Sequence, residues 1–248
     1  MRYFGLIGFP LSHSFSQRYF TDKFADEDIK NAEYNLFELK NIDDFHELLD
    51  SNPLLEGLNV TIPHKEGIIE YLDDLDFIAR KVGAVNVIKI TNSGLKVGYN
   101  SDYYGFRTSL ERWMGSELTK VKGLVLGTGG ASKAVRVVLD DCNIMYKTVS
   151  RDIQKGDLTY FDLSDNPDLI KEYRLVINTT PLGMYPRINE APNIPYEDLD
   201  DDFYLYDLIY NPETTLFLEK GILAGAKTKS GLEMLELQAE KSWDIWNI

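Results

Sequence analysis

Four short polar clusters stand at the ends of apolar runs in the first hundred residues: Ser12-His-Ser-Phe-Ser16, Asn59-Val-Thr-Ile-Pro-His-Lys65, Ala84-Val-Asn86 and Tyr99-Asn-Ser-Asp102. Together they supply hydroxyls, amides, one ammonium and one carboxylate. Hydride transfer to a ketone needs a proton donor at the oxygen as negative charge develops there. Lys65 is a fitting donor, and Asp102 is a carboxylate suited to orienting it. Taken singly, each residue has a plainer reading. Ser14 and Ser16 read as hydroxyls capping a helix, Asn59 and Asn86 as loop ties, Lys65 as a solvated cation and Asp102 as an N-cap. The histidines are the rival acid–base groups: His13 in the serine loop, His46 on a helix and His64 beside Lys65. The sequence places no carboxylate against any of them, so all three read as structural.

A fifth stretch carries a different chemistry. Val121 to Leu139 begins with the apolar run Gly123-Leu-Val-Leu, the pattern of a strand buried on both faces of a parallel sheet. Gly127-Thr-Gly-Gly-Ala follows, and apolar residues at 134, 135, 138 and 139 give helical spacing. A strand feeding a glycine turn that opens a helix lets backbone N–H groups receive a pyrophosphate. Ser132 replaces the third glycine of the usual pattern. The next strand ends in Ser150-Arg-Asp152, where an acid would bond the ribose of NAD and a cation would accept the 2′-phosphate of NADP. Arg151 and Lys155 favour NADP, Asp152 weakens that preference, and both cations also fit an ordinary solvated turn.

These groups need a scaffold, and 248 residues allow one large domain or two modest ones. With 44% hydrophobic residues the chain builds a full core without metal or disulfide staples. A net charge of −14 excludes nucleic acid as an expected partner but leaves room for an anionic small molecule. Cys142 is the one cysteine, so no internal disulfide is expected. No apolar run approaches a membrane span, and no signal peptide is read before Pro10, which together predict a cytoplasmic protein.

In order, the pattern predicts strands at Tyr3–Gly8, Ala32–Leu39 and Leu55–Ile62. Helices are expected at Gln17–Phe24, at Ile42–Leu49 with Asn41 as N-cap, through Ile68, Ile69 and Leu72, and near Ile78. Val85–Ile90 and Leu95–Tyr99, joined by Thr91-Asn-Ser-Gly94, read as a hairpin. A helix at Asp102–Met114 marks the crossover to a second domain. Beyond the glycine turn come strands at Ile144–Val149, Leu158–Leu163, Leu175–Asn178 and Tyr204–Leu208, a proline-rich loop from Pro181 to Asp202, and helices at Thr215–Leu223 and Gly231–Trp246.

The motifs in sequence resemble those of shikimate dehydrogenases. Matching stretches are Gly8-Phe-Pro-Leu-Ser-His-Ser-Phe-Ser, Leu58-Asn-Val-Thr-Ile-Pro-His-Lys, Gly83-Ala-Val-Asn, Tyr99-Asn-Ser-Asp and Gly127-Thr-Gly-Gly-Ala. Ile177-Asn-Thr-Thr-Pro-Leu-Gly-Met, Tyr206-Asp-Leu-Ile-Tyr-Asn-Pro and Gly231-Leu-Glu-Met-Leu through Gln238-Ala complete the set. The resemblance implies an α/β fold in which residues 1–101 form a substrate domain, rejoined by a C-terminal helix at 232–248. Residues 102–231 would form a Rossmann-like, doubly wound NADP domain. It implies NADPH-dependent reduction of 3-dehydroshikimate to shikimate, on the route to chorismate and aromatic amino acids, by a monomer or homodimer. A quinate/shikimate dehydrogenase using NAD is the neighbouring alternative, although quinate's extra hydroxyl would crowd Ser14 and Ser16. A non-catalytic dinucleotide sensor is the alternative from another class.

By the same resemblance Lys65 and Asp102 are catalytic. Ser14, Ser16 and Tyr210 would hold the substrate carboxylate, and Thr61, Asn86 and Gln238 would contact its ring oxygens. Gly127, Gly129, Gly130 and Ala131 would line the pyrophosphate, and Arg151 with Lys155 the 2′-phosphate. Thr179, Met184 and Gly231 complete the cofactor set. The chain departs from the family pattern at Gln17, at Ser150-Arg-Asp and at Glu233, where a small residue is usual; that carboxylate either perturbs the nicotinamide end or faces solvent.

Overall fold

The structure, a computed structural model, describes residues 1–11 and 14–248. It divides into two compact units, one of residues 1–101 with 238–248 and one of residues 102–237.

The first unit is built on a six-stranded sheet. Its strands are β1 (Arg2–Gly8), β2 (Ala32–Glu38), β3 (Leu55–Val60), β4 (Asp74–Leu75), β5 (Val87–Ile90) and β6 (Lys96–Tyr99), in the spatial order β2-β1-β3-β5-β6-β4. β1 runs parallel to β2 and β3, whereas β5 is antiparallel to β3 and to β6. Side chains alternate along β1, as a strand's period of two requires. Phe4 and Leu6 face one layer with Phe20 and Phe24 of α1 (Phe15–Asp26), and Ile7 faces the other with Phe45 of α2 (Phe45–Ser51). Each such fully buried side chain stabilises the unit by about 1.5–3 kcal/mol. The end of the last helix, α8 (Leu232–Trp246), completes the first layer. Trp246 stacks on Phe4 at 4.7 Å and donates from Nε1 to the Ile88 carbonyl at 3.0 Å. Its indole lies on Gly57, where any β-carbon would collide with it.

Several expectations need correction here. The predicted helix through Ile68, Ile69 and Leu72 is a 3-10 turn, Gly67–Tyr71, that stops before Leu72, and the two-residue β4 follows it. Only α3 (Phe77–Val82) is a true helix in this stretch. The Ile42–Leu49 helix is a 3-10 turn at Ile42–Asp44, capped by Asn41, that passes into α2. The hairpin of β5 and β6 forms as expected.

The second unit carries a six-stranded parallel sheet in the order β12-β11-β10-β7-β8-β9, comprising β7 (Gly123–Leu126), β8 (Tyr146–Ser150), β9 (Leu158–Thr159), β10 (Leu175–Asn178), β11 (Tyr204–Asp207) and β12 (Lys227–Lys229). Numbered from β7, this is the 3-2-1-4-5-6 order of the doubly wound dinucleotide-binding fold. Strands β7 and β10 are buried at every residue, which is why they read as apolar runs, ended in β10 by the buried Asn178. Helix α5 (Gly130–Asp141) covers the sheet through Ala134, Val135, Val138 and Leu139. The predicted strand Leu158–Leu163 is overturned: only two residues are extended, and α6 (Tyr160–Asp165) starts at once. Its cause is a capping box, with the Thr159 hydroxyl receiving Asp162 N at 3.2 Å and the Asp162 carboxylate receiving Thr159 N at 2.7 Å. Helix α4 (Ser101–Met114) opens this unit and α7 (Leu216–Leu223) precedes β12. No helix among the described residues is long and apolar enough to cross a membrane.

Candidate active site

The first unit gathers its polar clusters by topology. β1, β3 and β6 end, and β5 begins, at the same end of the sheet, because β3 and β5 are antiparallel and β5 and β6 form a hairpin. The loops carrying Ser14, Thr61 and Lys65, the residue before β5 (Asn86) and the start of α4 therefore share that end. Backbone bonds lock the arrangement. Thr61 N donates to Ile7 O at 2.9 Å, Val60 N to Asn86 O at 2.9 Å, and Val85 N to Lys65 O at 2.7 Å.

Ser14 occupies the N-cap position of α1, yet its side chain makes no cap bond. Its Oγ is buried and has no hydrogen-bond partner among the described residues. A buried hydroxyl without a partner is costly, and the capping role open to Ser14 in the sequence is not formed. Asp102 is likewise not an N-cap. It is the second residue of α4 and 5% exposed. Asn86 is buried: its Oδ1 receives Ser101 N at 2.7 Å, and its Nδ2 donates to Ser101 Oγ at 3.0 Å and Gln238 Oε1 at 3.3 Å. Gln238, brought in by α8, is thereby fixed beside Asn86.

Beneath these residues lies a partly buried chain of hydrogen bonds. Tyr34, on β2, donates from its phenol to Asn59 Oδ1 at 2.8 Å, and Asn59 Nδ2 donates to Ser242 Oγ at 2.9 Å and to the Asn86 carbonyl at 3.3 Å. Burial pushes the Tyr34 phenol well up, and the Ser16 hydroxyl against it acts in the opposite sense. Tyr34 and Ser242 are not among the residues picked from sequence. Tyr34 sits at an inward position of an alternating strand, a signal for burial but not for this partner. His64 is buried with Nε2 2.6 Å from the Leu39 carbonyl, and His46 packs beside Phe45 and Tyr71. Ser12 and His13 lie outside the described residues.

In the second unit every strand is parallel, so the expected cofactor residues all follow carboxyl ends. The switch point falls between β7 and β10. Gly127 adopts φ +103°, and a β-carbon there would sit 3.0 Å from Thr179 Oγ1 and from Thr180 Cγ2, so only glycine fits. At Gly129 and Gly130 a β-carbon would meet nothing. Gly129 is the N-cap of α5 without a side-chain cap, and Ala131 lies in the first turn. Ser132, in place of the third glycine, turns inward and donates to the Gly129 carbonyl at 2.7 Å. The open space and the uncapped helix start suit a dinucleotide pyrophosphate. Thr179 spends its hydroxyl on the Leu126 carbonyl at 2.7 Å, which ties the β7 and β10 ends together. Met184 is exposed in the following loop.

Arg151 and Lys155 are exposed on the turn between β8 and β9. The Asp152 carboxylate receives Gln154 N at 3.0 Å within that turn. Tyr210, after β11, has its phenol pushed up by burial. Gly231 presses on the Leu208 carbonyl, leaving no room for a β-carbon. Glu233 is held by Lys229 at 2.5 Å, Ser109 at 3.1 Å and Arg112 at 3.3 Å. It is only partly buried, and these donors, Lys229 foremost, hold its carboxyl below the usual range against the opposing effect of burial. Asp207, a residue named in sequence only within a motif, is wholly buried beneath the loops after β10 and β11.

Residues 6–88 match the family model of the shikimate dehydrogenase substrate binding domain. A shikimate dehydrogenase (NADP(+)) of Clostridium beijerinckii is 41% identical, over 99% of this chain and 92% of its own length. A shikimate dehydrogenase crystallised with NADP+ superposes with a TM-score of 0.85 at 33% identity, covering 99% of this chain and 90% of that one. The shikimate 5-dehydrogenase of Thermus thermophilus, in complex with NADP(H) and shikimate, gives 0.84 at 28% identity, over 99% and 93% of the two chains.

Proposed function

The chain belongs to the shikimate dehydrogenase family, and from that premise we propose that it catalyses the reversible NADPH-dependent reduction of 3-dehydroshikimate to shikimate. The reaction is the family's step towards chorismate and the aromatic amino acids, carried out in the cytoplasm. One observation carries the reading beyond likeness. Among the described residues the buried Ser14 hydroxyl has no hydrogen-bond partner, while Asn86 and Gln238 of the same unit are already bonded to each other, and this supports a hydroxyl that a ligand completes.

Ser14, Ser16 and Tyr210 bind the substrate carboxylate in this reading, and Thr61, Asn86 and Gln238 orient the ring oxygens. NADPH, when bound, supplies the hydride. Lys65 gives a proton to the carbonyl oxygen as it gains charge, and Asp102 is the carboxylate that complements this ammonium. Gly127, Gly129, Gly130 and Ala131 receive the pyrophosphate, and Gly231, Thr179 and Met184 shape the remainder of the cofactor site. Arg151 and Lys155 take the 2′-phosphate.

The test is a kinetic grid of shikimate and quinate against NADP and NAD, followed by the absorbance of reduced nicotinamide. Turnover is expected with shikimate and NADP above the other pairs. Folded protein that gives a flat trace with shikimate and both cofactors would reject the reading.

A further inference from the structure

Asp207 is the last residue of β11, a wholly buried carboxylate whose hydrogen-bond partners are neutral. Its Oδ1 receives Ile209 N at 3.0 Å and Asn178 Nδ2 at 3.1 Å, and its Oδ2 receives the Thr215 hydroxyl at 2.5 Å. Each donor belongs to a segment that leads to a proposed ligand contact. Asn178 ends β10 and organises the turn after it, its Oδ1 receiving Thr180 N at 3.0 Å and Thr180 Oγ1 at 2.7 Å. Its backbone carbonyl receives Leu208 N at 3.1 Å. Thr215 caps α7 and packs on Gly183, whose β-carbon position lies 3.1 Å from Thr215 Cβ. One carboxylate thus ties residues 178–183, which lead into Met184, to residues 207–215, which carry Tyr210.

We propose that Asp207 is a positioning residue that, in its ionised form, locks the cofactor-side segment 178–184 to the substrate-side segment 207–215. The proposal rests on the dehydrogenase reading for the roles of Met184 and Tyr210. Its chemistry is that of acceptor number: the carboxylate can receive all three donors, whereas a protonated carboxyl cannot. A proton on Oδ2 forces the Thr215 hydroxyl to turn its own proton away and accept instead, loosening the tie to α7. Asparagine imposes the same pattern permanently, with its amide nitrogen where Oδ2 stood. Burial raises the Asp207 carboxyl to about 6, the bonds from Thr215, Ile209 and Asn178 acting in the opposite sense. Among the described residues the Asp207 charge acts on the Tyr196 phenol, which is pushed up chiefly by burial and secondarily by that charge.

The experiment is titration calorimetry of NADP into wild type, Asp207→Asn and Thr215→Val at about pH 8 and about pH 5, with shikimate KM measured alongside. At about pH 8 each variant should bind NADP about tenfold more weakly, with a parallel rise in KM, as loss of a charge-assisted bond implies. At about pH 5 wild type and Asp207→Asn should agree within about twofold, because wild type is then protonated. Taking the ratio at each pH cancels titration of the cofactor's own phosphate. Affinities that match at about pH 8, or a ratio that ignores pH, would overturn the proposal. Thr215→Val carries the test should Asp207→Asn fail to fold. Wild type that binds NADP but does not turn over shikimate refutes the enzymatic reading instead, and leaves the calorimetric comparison intact.

Discussion

Replacing Tyr34 by Phe removes one oxygen and keeps the ring, which is stacked on Phe20 at 4.6 Å and 4% exposed. Packing is therefore conserved, and the loss falls on the bonds at the phenol. Asn59 Oδ1 loses its donor at 2.8 Å, and the Ser16 hydroxyl loses the oxygen it faces. A buried acceptor stripped of its donor costs about 1–3 kcal/mol, so the expected loss is about 2 kcal/mol. At about 2–4 °C per kcal/mol for a chain of this size, Tm should fall by about 4–8 °C. Because Asn59 also holds the Asn86 carbonyl, the defect passes to the proposed substrate residues Ser16 and Asn86. Shikimate KM should rise several-fold, while the affinity for NADP, bound by the second unit, stays unchanged. The assays are urea unfolding followed by fluorescence, and steady-state kinetics in each substrate. Unfolding and KM both equal to wild type would refute the reasoning, since Asn86 and Ser242 alone would then fix the Asn59 amide.

Other outcomes follow from single groups. Lys65→Ala should lower kcat by about 10²–10⁴-fold while NADP affinity holds, as removal of a general acid does; single-turnover kinetics with calorimetry checks it. Arg151→Ala combined with Lys155→Ala should raise KM for NADP by about tenfold or more and leave KM for NAD unchanged, because only the 2′-phosphate is addressed. For Asp207, a folded-state pKa of about 6 against 3.8 means the folded protein binds the proton more tightly than the unfolded chain. Its contribution is therefore greatest below about pH 4 and is lost as pH rises to about 6, by up to about 3 kcal/mol. Asp207→Asn should gain stability relative to wild type across that window, and urea midpoints measured from about pH 4 to pH 7 report it.

What the sequence made legible follows the physics of each element. β7 and the Leu175–Ile177 run of β10 stood out because strands buried on both faces are rich in apolar residues. β12, Lys227–Lys229, is a three-residue polar edge with no such pattern and was not read. Leu158–Leu163 looked like a strand by composition, yet Thr159 and Asp162 hold the spacing of a capping box, and that local signal won. At the site, polar clusters could be assigned to loop ends because chemistry-bearing residues follow apolar runs. The bonds among Tyr34, Asn59, Asn86 and Ser242 were not legible. They depend on strand register and on a helix that returns from the far end of the sequence. Asp207 showed only as a letter in a motif, since nothing in one dimension distinguishes a buried carboxylate from an exposed one.

Residues 1–101 leave the ribosome first, yet one layer of their core is filled by Ala239, Ile245 and Trp246. With Trp246 missing, Phe4 loses its stacked indole and Gly57 faces a void. That layer therefore cannot be completed until residues 238–248 have followed residues 102–237 out of the ribosome. A nascent chain stalled short of residue 238 should leave the first unit open to protease while the second resists it.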